Sequence, residues 1–172
     1  QELRPVSYSD FERFCSSTSY TTDAERYNWS FVQRDVYSFD ITEGATWKLP
    51  DGKHPPSSKE LPVTQVSYND ALAYCKWSGT RLPSYSEYWE IAEADKGKRV
   101  FNNNAPISPV GEVTIIGNVW ELTSSTMGDS VRLAGGSLFC NIKTCNGTSS
   151  ERELYVDKET ANLHIGFGVL KP

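Results

Sequence analysis

The most reactive chemistry in this chain rests on two cysteines five positions apart, Cys140 and Cys145, in the run Gly135-Gly136-Ser137-Leu138-Phe139-Cys140-Asn141-Ile142-Lys143-Thr144-Cys145. On an ideal strand they would lie roughly 17 Å apart on opposite faces. On a helix they would point about 140° apart. They can meet only if the chain curls between them. If it does, the two sulfurs can form a redox-active disulfide, a low-coordinate site for soft Cu(I), or a disulfide with a purely structural role. Ser137 lies close enough in sequence to add a hydroxyl.

A second cluster is Gly117-Asn118-Val119-Trp120-Glu121. A tight turn here would present its backbone carbonyls, with Asn118 and the Glu121 carboxylate, as hard oxygen donors, the type Ca²⁺ takes. The same residues also fit a turn and strand with a buried tryptophan. Trp47 is either a core aromatic or the wall of a groove. The two histidines, His54 and His164, are too few for a three-imidazole metal centre. No phosphate-binding glycine loop, nucleophile elbow or paired zinc motif is present.

Three capped helices frame these clusters. Ser9-Asp10-Phe11-Glu12, Ser67-Tyr68-Asn69-Asp70 and Ser84-Tyr85-Ser86-Glu87 each place an acid three residues after a serine, the signature of a capping box. They predict helices over 8–16, 68–78 and 85–95. Strands are expected over 62–66, 113–120, 132–139 and 165–170. Residues 41–62 and 96–111 are rich in Gly, Pro and Asn and read as long loops. The whole reads as an irregular α+β chain. Its 172 residues suit a single domain over 1–172 with a core of its own.

Composition narrows the partners. The net charge is -5, from 17 Lys+Arg against 22 Asp+Glu, with no basic run, which argues against nucleic-acid binding. No apolar stretch is long enough for a membrane span. A soluble protein is expected, with the compartment open between bacterial cytoplasm, periplasm and secretion. Aromatic residues are abundant, and the four cysteines include Cys15 and Cys75 on helix faces, which could pair or remain thiols.

The order of these motifs resembles the formylglycine-generating enzyme, or sulfatase-modifying factor, family over nearly the whole chain. Ser19-Tyr20-Thr21-Thr22-Asp23-Ala24-Glu25, Gly44-Ala45-Thr46-Trp47, Pro62-Val63 through Tyr74-Cys75 to Arg81-Leu82-Pro83, Gly117 to Glu121, Gly135-Gly136-Ser137 and Ile165-Gly166-Phe167 follow the family's sequence of signatures. The resemblance implies an irregular α+β fold of the C-type-lectin-like kind, with small twisted antiparallel sheets. By the resemblance, the strand and hairpin before the family's first helix are expected to be missing here.

The resemblance also implies an activity. Cys140 and Cys145 fall where catalytic members carry a cysteine pair that binds Cu(I). Molecular oxygen then oxidises a cysteine of a substrate peptide, an unfolded sulfatase segment, to formylglycine. Carried over, Cys140 and Cys145 are copper ligands, and Ser137 assists at the oxygen pocket. Trp47 and Trp120 wall the peptide groove, with Asn141 and Arg152 also facing substrate. Gly117, Val119 and Glu121 hold Ca²⁺. The sequence departs from the family pattern in several places. Asn141-Ile142-Lys143-Thr144 replaces His-x-x-Tyr between the cysteines, and Arg152 stands one place from the family arginine. Thr114 replaces a calcium-binding asparagine, and Gly168 replaces the terminal arginine. The alternative on the same fold is a non-catalytic ligand- or protein-binding module in which a Cys140–Cys145 disulfide stiffens the surface.

Overall fold

The structure, a computed structural model, describes residues 1–36, 38–94, 99–100, 109, 116–140, 143, 145–147 and 149–172. Four helices are present: α1 (Tyr8–Thr18), α2 (Asp23–Tyr27), α3 (Tyr68–Ser78) and α4 (Tyr85–Glu93). Each begins with a reciprocal capping box, formed by Ser7/Asp10, Thr22/Glu25, Ser67/Asp70 and Ser84/Glu87. The acid reaches back to the cap amide while the cap hydroxyl accepts from the acid's own N–H, so two orphan donors are satisfied at once. The first cap is Ser7 rather than Ser9, because Asp10 is the acid that closes the box. The short α2 carries the same signature in too few residues to show a helical period. Left-handed residues end α1, α2 and α3 at Ser19, Asn28 and Gly79. No described helix is long and apolar enough to cross a membrane.

The strands are β1 (Arg4–Pro5), β2 (Trp29–Gln33), β3 (Phe39–Glu43), β4 (Arg99–Val100), β5 (Ile116–Gly117), β6 (Trp120–Met127), β7 (Ser130–Ala134), β8 (Tyr155–Asp157), β9 (Ile165–Gly166) and β10 (Gly168–Val169). One four-stranded sheet has the order β8-β7-β6-β9, and β1-β10, β2-β3 and β4-β5 form three pairs. This is an α+β architecture of small sheets.

Several expected strands break for local reasons. Residues 62–66 form only an isolated bridge at Pro62, because Pro62 lacks an N–H and Gln65 turns left-handed at φ 62°. Of the expected 113–120 strand, 113–115 lie outside the described residues. The rest splits at Asn118, also left-handed at φ 64°. The 132–139 strand stops at Ala134, where Gly135 and Gly136 take φ 89° and 75°. Residues 165–170 divide between two sheets, β9 pairing with β6 and β10 with β1. Within the expected 41–62 loop, residues 41–43 belong instead to the β2–β3 hairpin.

The main core joins α1, α3 and the four-stranded sheet through aromatic rings. Phe11 meets Phe14, Trp47 and Tyr74 at centroid distances of 5.4, 5.4 and 6.2 Å, and Tyr74 meets Phe167 at 5.6 Å. Burying each such ring contributes about 1.5–3 kcal/mol. Trp77 packs on this cluster at its edge and keeps 42% of its surface exposed.

Two buried carboxylates lock α2 to α3. Asp70 Oδ1 accepts from the Asp23 amide at 3.1 Å and the Tyr20 hydroxyl at 2.8 Å, while Ser67 Oγ donates to Asp23 Oδ2 at 2.6 Å. Asp23 also pairs with Arg26.

The hairpin that borders the candidate site is pinned by polar contacts. The Phe31 amide donates to the Ala161 carbonyl, and the Leu163 amide donates to the Phe31 carbonyl. The buried Gln65 side chain donates to the carbonyls of Phe31 and Pro50 at 2.9 and 2.7 Å.

One buried acid lies between β6 and α4. Burial pushes the Glu121 carboxyl up to about 8, with the hydrogen bond from Tyr88 opposing the rise. It is therefore neutral in the folded protein at pH 7, but ionised in the unfolded chain above its ordinary value of 4.5. The folded state then holds the extra proton, so this group's contribution to stability is full below about 4.5 and is lost as pH rises toward about 8. Glu121→Gln, neutral throughout, is expected to flatten the fall in unfolding free energy across that window by up to about 1.4 kcal/mol per pH unit. Urea titrations at stepped pH read this directly, and parallel wild-type and variant curves would contradict it.

Candidate functional site

The site is built where two turns meet. The Gly117 amide donates to the Gly135 carbonyl at 2.8 Å, and the Leu138 amide donates to the Asn118 carbonyl at 2.9 Å. The two sequence clusters are thus stitched together by backbone. From Gly136 the chain curls tightly, with the Cys140 amide bonded to the Ser137 carbonyl at 3.0 Å. The returning segment then lies directly on the glycine turn. A Cβ on Gly147 would sit 2.7 Å from Gly136 Cα, and one on Gly136 would sit 2.8 Å from Gly147 Cα. Only glycine at both positions permits this approach.

This curl brings the cysteines together as a disulfide, with their Cα atoms 5.1 Å apart. Both are buried. The Ser137 amide donates to Cys140 Sγ at 3.4 Å, and Ser137 Oγ lies 3.9 Å from the same sulfur. Ser137 itself is fully buried. Next to this turn the Phe139 ring stacks on the buried His164 at 4.6 Å.

The pair borders a cleft of about 380 Å³. Trp120, Leu133 and Ile165 of the four-stranded sheet form one side, and Phe31, Gln33 and Phe39 of the hairpin form the other. Arg152 also lines it. The backbone at Arg152 is held firmly, since its carbonyl accepts from the Tyr85 hydroxyl at 3.0 Å and from an Arg132 guanidinium nitrogen at 2.9 Å. The Arg132 guanidinium is stacked 3.5 Å from the Tyr85 ring centroid. Among the described residues no acceptor meets the buried Arg152 Nε.

Cys140, Cys145, Ser137, Trp120 and Arg152 therefore come together. Trp47 does not join them. It is buried among Phe11 and its neighbours, and its indole N–H donates to Glu25 Oε1 at 3.0 Å. A tryptophan whose one polar atom is satisfied by a helix cap belongs to the core. Asn141 lies outside the described residues.

Sequence reasoning missed the hairpin wall and the Arg132–Tyr85 clamp. A signal existed for the hairpin, because Trp29, Phe31 and Gln33 alternate along one face of β2 and pair with Glu43, Ile41 and Phe39.

The donor sets differ in what they could hold. Once reduced, Cys140 and Cys145 offer two soft sulfurs at a buried site, a set that suits low-coordinate Cu(I). The Gly117, Val119 and Glu121 set does not suit Ca²⁺, which takes six to eight oxygens. The Gly117 carbonyl already accepts from the Val119 amide at 2.8 Å, and Glu121 is turned to Tyr88. Among the described residues no three His, Cys, Asp or Glu side chains gather as a metal cage.

Comparison with known proteins agrees with this architecture. The Sulfatase-modifying factor enzyme 1-like domain family matches residues 2–112. The chain is 29% identical to inactive C-alpha-formylglycine-generating enzyme 2 of Mus musculus, over 96% of this chain and 72% of that protein. It is 37% identical to the formylglycine-generating enzyme of Thermomonospora curvata, over 69% of this chain and 44% of that protein. Among solved structures, PvdO from Pseudomonas aeruginosa shares the fold with a TM-score of 0.67 at 15% identity, covering 96% of this chain and 77% of PvdO. With the motif order, the capped helices and the small sheets in agreement, the chain belongs to the formylglycine-generating enzyme-like, sulfatase-modifying factor family.

Proposed function

We propose that this protein is a copper-dependent oxidase that uses molecular oxygen to convert a cysteine of a sulfatase-type peptide to formylglycine. The single observation that carries this reading is the meeting of Cys140 and Cys145 at the edge of an apolar cleft in a chain of this family.

The residues divide the work as follows. A thiol reductant first opens the disulfide by supplying two electrons and two protons. Cys140 and Cys145 would then hold Cu(I), which when bound supplies the activation of oxygen. The Ser137 amide, aimed at Cys140 Sγ, favours the thiolate over the thiol. The Ser137 hydroxyl is placed to hold a proton or a polar oxygen species beside that sulfur. Trp120 and the Phe31–Phe39 wall exclude water and keep an extended peptide in register. Arg152, backbone-anchored at the edge of the cleft, would take a carbonyl or carboxylate of that peptide.

A second reading has its own support. The mouse relative named above is an inactive enzyme by name, and here the Cys140–Cys145 bond is closed. A chain that kept this disulfide permanently would present the cleft as a rigid binding surface for a protein or peptide ligand.

Copper titration separates the two. The reduced protein is expected to bind one Cu(I) per chain in competition with a chromophoric chelator. Cys140→Ser and Cys145→Ser should each weaken binding by about 100-fold or more. Unchanged affinity in either variant would contradict the oxidase. The glycine contact gives a subtler test. Gly147→Ala forces a Cβ against Gly136, an overpacking worth about 1–3 kcal/mol. It is expected to keep the fold by circular dichroism but weaken Cu(I) about 10-fold by shifting Cys145. Wild-type affinity in that variant would show that the loop does not depend on the contact.

A further inference from the structure

A smaller pocket, of about 230 Å³, shares no lining side chain with the cysteine cleft among the described residues. Its apolar lining is Pro50, Pro55, Pro56 and Pro62 with Leu61 and Leu163. The loop that forms it is held at both ends. The Tyr8 and Ser9 amides donate to the Leu61 and Lys59 carbonyls at 3.1 and 2.9 Å, and Gln65 Nε2 donates to the Pro50 carbonyl at 2.7 Å. Between these anchors Gly52 turns at φ 85°, where a Cβ would sit 2.8 Å from Thr42 Cγ2. The pocket is therefore shaped before a ligand arrives.

Its polar groups are few and directed. Proline carries no N–H, so these walls offer a ligand little to accept from. No described lysine or arginine lines the pocket, which leaves an anion without a partner. Tyr8 also lines it, but its hydroxyl is engaged with Thr64 Oγ1 at 2.8 Å. At the rim, Asp51 Oδ1 accepts from the Lys53 and His54 amides at 2.8 and 2.7 Å, and Asp51 Oδ2 faces His54 Nδ1 at 2.8 Å. An ionised carboxylate can only accept. In the neutral ring Nδ1 therefore holds the proton, and Nε2 presents the lone pair. Ser57 adds a hydroxyl that can turn either way.

We propose that this pocket binds a phenol, its ring among the prolines and leucines and its O–H donated to His54 Nε2. The volume lies below the roughly 300–1,000 Å³ of sites for drug-sized ligands, so a single substituted ring suits it. A phenol is apolar along its body and carries one donor at its end. That matches apolar walls with one fixed acceptor at the rim. A sugar would leave most of its hydroxyls unpaired among proline rings. A cation would find the Asp51 carboxylate already engaged on both oxygens. The inference goes beyond the oxidase reading and does not require the cysteine pair to react.

The test is an NMR titration of the full chain in its oxidised form, with the cysteine pair closed, so that its outcome is separate from copper binding. Mildly alkaline buffer keeps imidazole neutral. The probes are p-cresol and 4-methylanisole, which share a ring and differ in the O–H. p-Cresol is expected to shift the Leu163 methyl signals and to bind about 5-fold more tightly than 4-methylanisole. The His54 side chain is 76% exposed, so His54→Ala keeps the fold. That variant should bring p-cresol down to the level of 4-methylanisole and leave 4-methylanisole within about 2-fold of its wild-type affinity. N-acetyl-tyrosine amide distinguishes the source of the ring. Binding as tight as p-cresol assigns the pocket to a tyrosine side chain, and failure to bind assigns it to a free phenol. Equal binding of p-cresol and 4-methylanisole, a preference that survives His54→Ala, or no shift at Leu163 would overturn the proposal.

Discussion

The contact between Gly136 and Gly147 is the constraint on which the rest of the site depends. Two backbones touch with no side chain between them, and that closeness lets a short segment return on itself and set Cys140 against Cys145. The glycine turn is itself fixed to the Gly117–Asn118 turn by two backbone hydrogen bonds. The cysteine pair therefore rides on the junction of two turns, and the four-stranded sheet behind them supplies rigidity. A site supported in this way can be positioned accurately although the chain around it has little regular structure.

Around that junction the aromatics serve two ends. Phe11, Tyr74, Phe167 and Trp47 close the core between α1, α3 and the sheet. Trp120, Phe31 and Phe39 face the cleft, and Tyr27 and Trp29 extend the aromatic surface outward. The division follows the partners of each polar atom more than residue type. Trp47 gives its N–H to a helix cap and is buried, whereas Trp29 lies on a two-stranded hairpin between Tyr27 and Phe31 and stays 40% exposed. The hairpin connects the two roles. Its backbone at Phe31 is pinned through Gln65, Ala161 and Leu163, which holds its aromatic side chains in place beside the cleft.

Helices were the most legible part of the fold because a capping box is a local device, complete within four residues. Two-residue strands such as β1 and β10 were not, because they exist only through a partner more than 160 positions away. Family resemblance pointed to the cysteine pair, but five-residue spacing alone does not bring two sulfurs together. That outcome needed Gly147, a residue with no chemistry of its own. Both Trp47 and Trp120 are buried in one core, and which of them also borders the cleft was likewise hidden, since it depends on Glu25 in one case and on the hairpin opposite in the other. The Arg132 guanidinium that secures Arg152 could not be read from sequence either, since its stacking partner Tyr85 begins a different element.

The central claim is that the cysteine pair performs oxidation rather than bracing a surface. The most direct measurement is the mass of a Cys-x-Pro-x-Arg peptide after incubation with the reduced, copper-loaded protein, oxygen and a thiol reductant. The account predicts a loss of about 18 Da at the peptide cysteine, the change from cysteine to formylglycine, that requires both Cys140 and Cys145. A peptide that binds the copper-loaded protein yet keeps its mass would contradict it.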